Sequence, residues 1–94
     1  MATKPVNIKN DKGDVDNDPV TLSVIDEVTW TSSAPHATVV VFEKNETPFG
    51  SAVFRIPAGG SVSSGPIQNS TPRSYKYDVK GTAGSNDPTV IINR

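Results

Sequence analysis

Apolar residues along the chain fall in short alternating runs, divided by polar stretches rich in Gly, Pro, Asn and Asp. Val6-Asn7-Ile8-Lys9 alternates and predicts a first strand. Val20-Thr21-Leu22-Ser23-Val24 alternates strictly, which predicts a strand with three aliphatics on one face. Asp26-Glu27 turns the chain into a third strand, where Val28 and Trp30 share a face. Ala37 to Glu43 reads as the next strand, and its unbroken Val39-Val40-Val41-Phe42 predicts cover on both sides. Ser51 to Ile56 and a short edge strand at Ser61 to Ser63 follow. Arg73 to Lys80 places Tyr75, Tyr77 and Val79 on one side, and Thr89 to Ile92 closes the chain as a buried strand. Asn10 to Pro19, Thr31 to His36, Asn45 to Gly50 and Gly81 to Pro88 read as loops, with Pro48 barring the third from a central strand. No segment of a dozen residues has helical periodicity. The reading is all-β, a sandwich or barrel of seven or eight strands.

The 94 residues fit one domain, 1–94. A core this small depends on a few bulky side chains, and Trp30, Phe42, Phe49, Phe54, Tyr75 and Tyr77 are the candidates. Leu22 is the only leucine, while Thr and Val abound, a balance that suits strands better than helices.

Charge and composition exclude several functions. A net charge of −1 with scattered basic residues lacks the clustered positive face that nucleic acid requires. The longest apolar run, Val39 to Phe42, falls far short of the ~20 residues of a membrane helix. Met1-Ala2-Thr3-Lys4-Pro5 has no apolar core of a secretory signal, so the expected compartment is the cytoplasm, or the exterior if a leader has been removed. With no cysteine, disulfides, thiolate metal sites and cysteine nucleophiles are excluded.

Several segments in order resemble the cupredoxins, the plastocyanin and azurin family of copper proteins. Val20 to Trp30, with Asp26 and Val28-Thr29-Trp30, resembles the family's hairpin in which an acidic turn precedes a V-x-W strand. Pro35-His36 follows Trp30 at the distance of the family's first histidine ligand. Phe54-Arg55-Ile56-Pro57-Ala58-Gly59, Tyr75-Lys76-Tyr77 and Val90-Ile91-Ile92 resemble the later strands. The resemblance spans about Pro5 to Asn93 and implies a Greek-key cupredoxin-like sandwich. It also implies a departure. Blue copper needs two histidines and a thiolate, usually with an axial methionine. Val79 stands about where the cysteine is expected, and the loop through Pro88 has no Cys, His or Met. His36 is the only histidine and Met1 the only methionine, so no cofactor and no blue-copper electron transfer are expected.

Other candidate chemistry is thin. His36 is a weak metal candidate for copper or zinc, because useful zinc sites employ three or four protein ligands and no neighbour supplies them. Asp14-Val15-Asp16-Asn17-Asp18 has the alternating oxygens of a calcium loop, but Pro19 and Ile25 stand where an EF-hand needs Gly and Glu. Asp and Asn also favour turns by bonding nearby backbone. No G-x-S-x-G elbow or converging carboxylate pair appears, so no catalytic residue is assigned and no enzyme is expected. Trp30, Tyr75 and Tyr77 offer either core packing or a sugar-stacking platform, and their alternation favours the core. Asn45-Glu46-Thr47 and Asn69-Ser70-Thr71 match the glycosylation triplet, the first weakened by Pro48.

Three functional classes follow: a structural or protein-interaction module, a weak metal binder at His36 or Asp14 to Asp18, and an immunoglobulin-like adhesion or carbohydrate-binding module. For the first, the loops 31–36, 45–50 and 81–88 are the expected contact surface, gathered at the emptied metal end.

Overall fold

The structure of the protein is a computed structural model, and it describes residues 3–10, 12–69, 71–80 and 88–93. Eight strands form it: β1 (Thr3–Ile8), β2 (Val20–Leu22), β3 (Glu27–Ser32), β4 (Thr38–Phe42), β5 (Val53–Ile56), β6 (Ser61–Ser63), β7 (Ser74–Lys80) and β8 (Thr89–Ile92). They make a three-stranded sheet, β1-β3-β6, and a five-stranded sheet, β2-β8-β7-β4-β5. The pairs β1–β3 and β2–β8 are parallel and the others antiparallel. β1 and β2 are joined by a loop that passes from one sheet to the other, so the two layers share one core.

Period-two alternation decides which residues fill that core. In β7, Tyr75, Tyr77 and Val79 are buried while Ser74, Lys76 and Lys80 are exposed. In β3, Val28, Trp30 and Ser32 point inward. Trp30 is fully buried and sits at the centre of an aromatic cluster. Its ring packs edge-on against Phe42, Phe49 and Tyr77 at centroid distances of 6.2, 6.1 and 5.8 Å, and tilted against Phe54 at 5.0 Å. Edge-to-face aromatic pairs add about 0.5–1.5 kcal/mol each beyond buried area. Phe49 reaches this cluster from the β4–β5 connection, where an isolated bridge to Ile67 and the bonds from the N–H groups of Gln68 and Asn69 to Pro48 O fix the segment.

Three expectations change. β2 ends at Leu22, because Ser23 to Asp26 form a turn in which the Asp26 carboxylate accepts the Ser23 N–H at 2.9 Å; Val24 is therefore 42% exposed and not on the core face. The run Val39 to Phe42 is covered on one side only, with Val40 and Phe42 in the core and Val39 and Val41 half-buried on the outer face. Residues Glu43–Asn45 add a tight turn, closed by the Glu46 N–H on Glu43 O, with Lys44 and Asn45 at φ 55° and 60°.

Candidate functional site

Strand register sorts the loops between the two ends of the sandwich. At one end Thr38 pairs with Ile56 and Val39 with Lys80, while Ser33 donates to Ile8 O and Ser32 to Gly60 O. The segment before Thr38, which carries His36, therefore lies at the end where β1 and β5 stop. Phe42 pairs with Tyr77 at the other end, so the Asn45 to Gly50 segment leaves β4 away from His36. This corrects the expectation of one surface made from loops 31–36, 45–50 and 81–88. Thr31 and Ser32 moreover belong to β3, and Pro48 and Phe49 are buried. Of the third loop, residues 81–87 lie outside the described residues.

His36 is exposed, and its Nδ1 lies 3.3 Å from the Ala37 carbonyl. Val79 is buried in the core, paired with Val40. Among the described residues no group of three or more His, Cys, Asp and Glu is placed to hold a metal ion.

The aspartates have other work. Asp16 Oδ1 accepts the Asn7 N–H at 2.8 Å, and the Asp16 N–H donates to Asn7 O at 3.2 Å. The Lys9 N–H donates to Asp14 O at 2.7 Å, and Asn17 Nδ2 to Pro5 O at 3.0 Å. With the Val15–Ile8 bridge, this segment runs along the free edge of β1. Asp18 Oδ1 accepts the Thr89 N–H at 2.9 Å and so ties the same loop to the five-stranded sheet. Asp16 and Asp18 are each spent on a different strand's backbone instead of converging as calcium ligands must.

Behind this loop lies the phenol of Tyr77. Burial is the main cause that pushes its pKa up to about 12; the nearby Trp30 indole works the other way, and the charges of Asp18 and Asp16 push it further up. Trp30 Nε1 and Tyr77 Oη are buried, and neither meets a hydrogen-bond partner among the described residues. Tyr75, also buried, directs its hydroxyl to Thr71 O at 3.4 Å while Arg73 lies 4.7 Å over its ring. All three aromatics are thus core, and no sugar platform is built from them.

A cleft of about 220 Å³ lies at the other end, lined by Glu43, Lys44, Glu46, Arg73, Tyr75 and Lys76 among others. Arg73 and Glu46 pair across it at 2.9 Å with both side chains about half exposed. Tyr75 stood out in the sequence as an aromatic candidate and Glu46 within a glycosylation triplet, but no pattern there brought them together with Arg73. Of the glycosylation triplets, Asn45 sits in the left-handed turn, and Asn69 Oδ1 accepts the Thr71 N–H at 3.2 Å.

Comparison with solved structures places this architecture. A purple cupredoxin from Nitrosopumilus maritimus superposes with a TM-score of 0.72 at 14% identity, covering 96% of this chain and 99% of that one. The fold is that of the cupredoxins. A reduced amicyanin point mutant agrees, with a TM-score of 0.66 at 17% identity over 97% of this chain and 82% of that one. No protein-family model and no curated protein sequence matches the chain. The cupredoxin fold takes the place of the immunoglobulin-like alternative. No helix among the described residues is long and apolar enough to cross a membrane.

Proposed function

We propose that this chain is a cupredoxin-fold scaffold without a blue-copper centre, serving as a structural or protein-interaction module and not as an electron carrier or enzyme. The observation that carries the reading is Val79. The position that resembles the family's cysteine holds a buried aliphatic side chain packed in the core. Donor chemistry supports it. Blue copper requires a thiolate and two imidazoles, and this chain has no cysteine and one histidine. The residues present do not fit that group. The loop before Thr38, held between β3 and β4, is the first contact surface of the module. Asn45 to Gly50 belongs to a second surface at the other end.

The test is native mass spectrometry of the intact protein with copper, zinc and calcium, beside His36→Ala. The reading expects no specific adduct with any ion. One stoichiometric ion, lost in His36→Ala, overturns it in favour of a metal-binding protein. The partner arm is a pull-down with residues 31–36, 45–50 and 81–88 scrambled one loop at a time. Unchanged recovery by all three variants removes the loops from the proposal.

A further inference from the structure

The outward face of the five-stranded sheet carries an ordered pattern that a lone molecule does not use. In one cross-strand row, Val53 stands beside Val41 and Val41 beside Asp78. In the next, Arg55 stands beside Val39 and Val39 beside Lys80. Val39 and Val41 are half-buried, Val53 is 52% exposed, and Arg55 and Lys80 are exposed. A run such as Val39 to Phe42 is the pattern of a strand covered on both faces. The three-stranded sheet covers only the side of Val40 and Phe42.

The two rows are complementary to each other. A two-fold axis lying between them, perpendicular to the strands, turns a second copy so that each row meets the other. Val41 then lies over the partner's Val39, Asp78 over the partner's Lys80, and Arg55 over the partner's Val53. Every contact occurs twice, as an isologous interface demands. Stacked sheets pack about 10 Å apart with strands within about 30° of alignment, which this axis allows. The Asp78–Lys80 pair, 2.8 Å within one chain, becomes part of an alternating group of four charges. The stem of Arg55 covers aliphatic surface while its head stays wet.

The edges of β1 and β5 are not open for pairing with another chain. The edge of β1 is taken by the aspartate loop. On β5, the Ser51 hydroxyl donates to Val53 O at 2.9 Å and accepts the Val53 N–H at 3.2 Å.

We infer that the protein associates with a second copy of itself, face to face, through Val39, Val41, Val53, Arg55, Asp78 and Lys80. The inference rests on the interaction-module reading but uses a surface apart from the loops. Sedimentation equilibrium of the intact chain, from micromolar to millimolar, tests it. Wild type shows a monomer–dimer equilibrium. Val53→Lys, which opposes the partner's Arg55, weakens it about tenfold, and Val53→Glu strengthens it. Val53 is exposed, so both variants retain the fold. Asp78→Lys and Lys80→Asp each weaken the dimer, and the double swap restores it. A wild type that stays monomeric overturns the inference. So does equal behaviour of Val53→Lys and Val53→Glu, or a double swap no better than the single changes. A monomer that still recovers a partner through its loops overturns this dimer and leaves the module reading standing. A dimer whose scrambled-loop variants recover everything the wild type does has the reverse meaning.

Discussion

Asp16 and Asn7 exchange two hydrogen bonds across the free edge of β1. The Asn7 N–H donates to the Asp16 carboxylate at 2.8 Å, and the Asp16 N–H returns a bond to Asn7 O at 3.2 Å. An edge strand displays a row of unpaired donors and acceptors that recruits other chains. Asp16 occupies that row with a charge, Asn17 takes Pro5 O, and Pro5 itself has no N–H to offer. The acidic loop is thus a guard for the sheet edge.

Removing that guard has a measurable cost. Asp16→Ala leaves the Asn7 N–H to water, because the site is exposed, so the expected stability loss is about 1 kcal/mol. The larger effect is on association, since the edge loses its charge. Light scattering of the heated variant beside wild type should show earlier aggregation. Equal aggregation at a matched fraction unfolded would assign the loop no guarding role.

How far this arrangement was legible in the sequence depends on the kind of signal. Alternation in Tyr75-Lys76-Tyr77 and Val28-Thr29-Trp30 states directly which side chains face inward, and those residues are the core. Val24 misled because the same alternation continues past Leu22, and only the Ser23–Asp26 turn bonds end the strand. Val39 and Val41 misled because four consecutive apolar residues look alike whether the outer face is covered or open. The placement of Asn45 to Gly50 opposite His36 is a fact of register, which no local pattern encodes. Asp14 to Asp18 resembled a ligand set since turn-forming and calcium-binding segments draw on the same residues.

Trp30 sets the stability of the core. Its ring touches four other aromatics from three strands and one connection, so truncation leaves a cavity that no single neighbour can fill. Trp30→Ala should cost ~3–5 kcal/mol, a large share of the ~5–10 kcal/mol expected of a domain this size. Urea unfolding followed by circular dichroism measures it. A loss below ~1 kcal/mol would contradict the central position of this residue.

Ser64 joins the two ends of a long loop closure through one hydroxyl. It is buried, accepts the Val28 N–H at 3.0 Å, and donates to Gly65 O at 2.9 Å, while its own N–H bonds Val28 O. Ser64→Ala leaves the buried Val28 donor without that partner, at a cost of about 1–3 kcal/mol. Ser63→Ala is the control. The Ser63 hydroxyl bonds are exposed, and its loss should stay within about 0.5 kcal/mol. Equal midpoints for the two variants in urea would show that the Ser64 bond contributes nothing beyond a surface contact.

Tyr77 makes the fold sensitive to alkali. Burial, aided by Asp18 and Asp16, holds its hydroxyl protonated up to about 12, against 10.0 for a free tyrosine. Between pH 10 and 12 the unfolded chain releases this proton while the native chain keeps it. The unfolded state then binds fewer protons, so stability falls as pH rises through that window and is fully present below pH 10. At 1.36 kcal/mol per unit, the loss attributable to Tyr77 is about 2–3 kcal/mol by pH 12. Tyr77→Phe removes the titration together with a buried hydroxyl that has no hydrogen-bond partner among the described residues. Near neutral pH the variant should be as stable as wild type or slightly more so, because no hydrogen bond among the described residues is lost. The difference in unfolding free energy between the two proteins, measured from pH 8 to 12, cancels the lysines they share. That difference should grow in favour of Tyr77→Phe above pH 10. A difference that stays flat across the window would mean that the Tyr77 phenol ionises as readily in the native protein as in the unfolded chain.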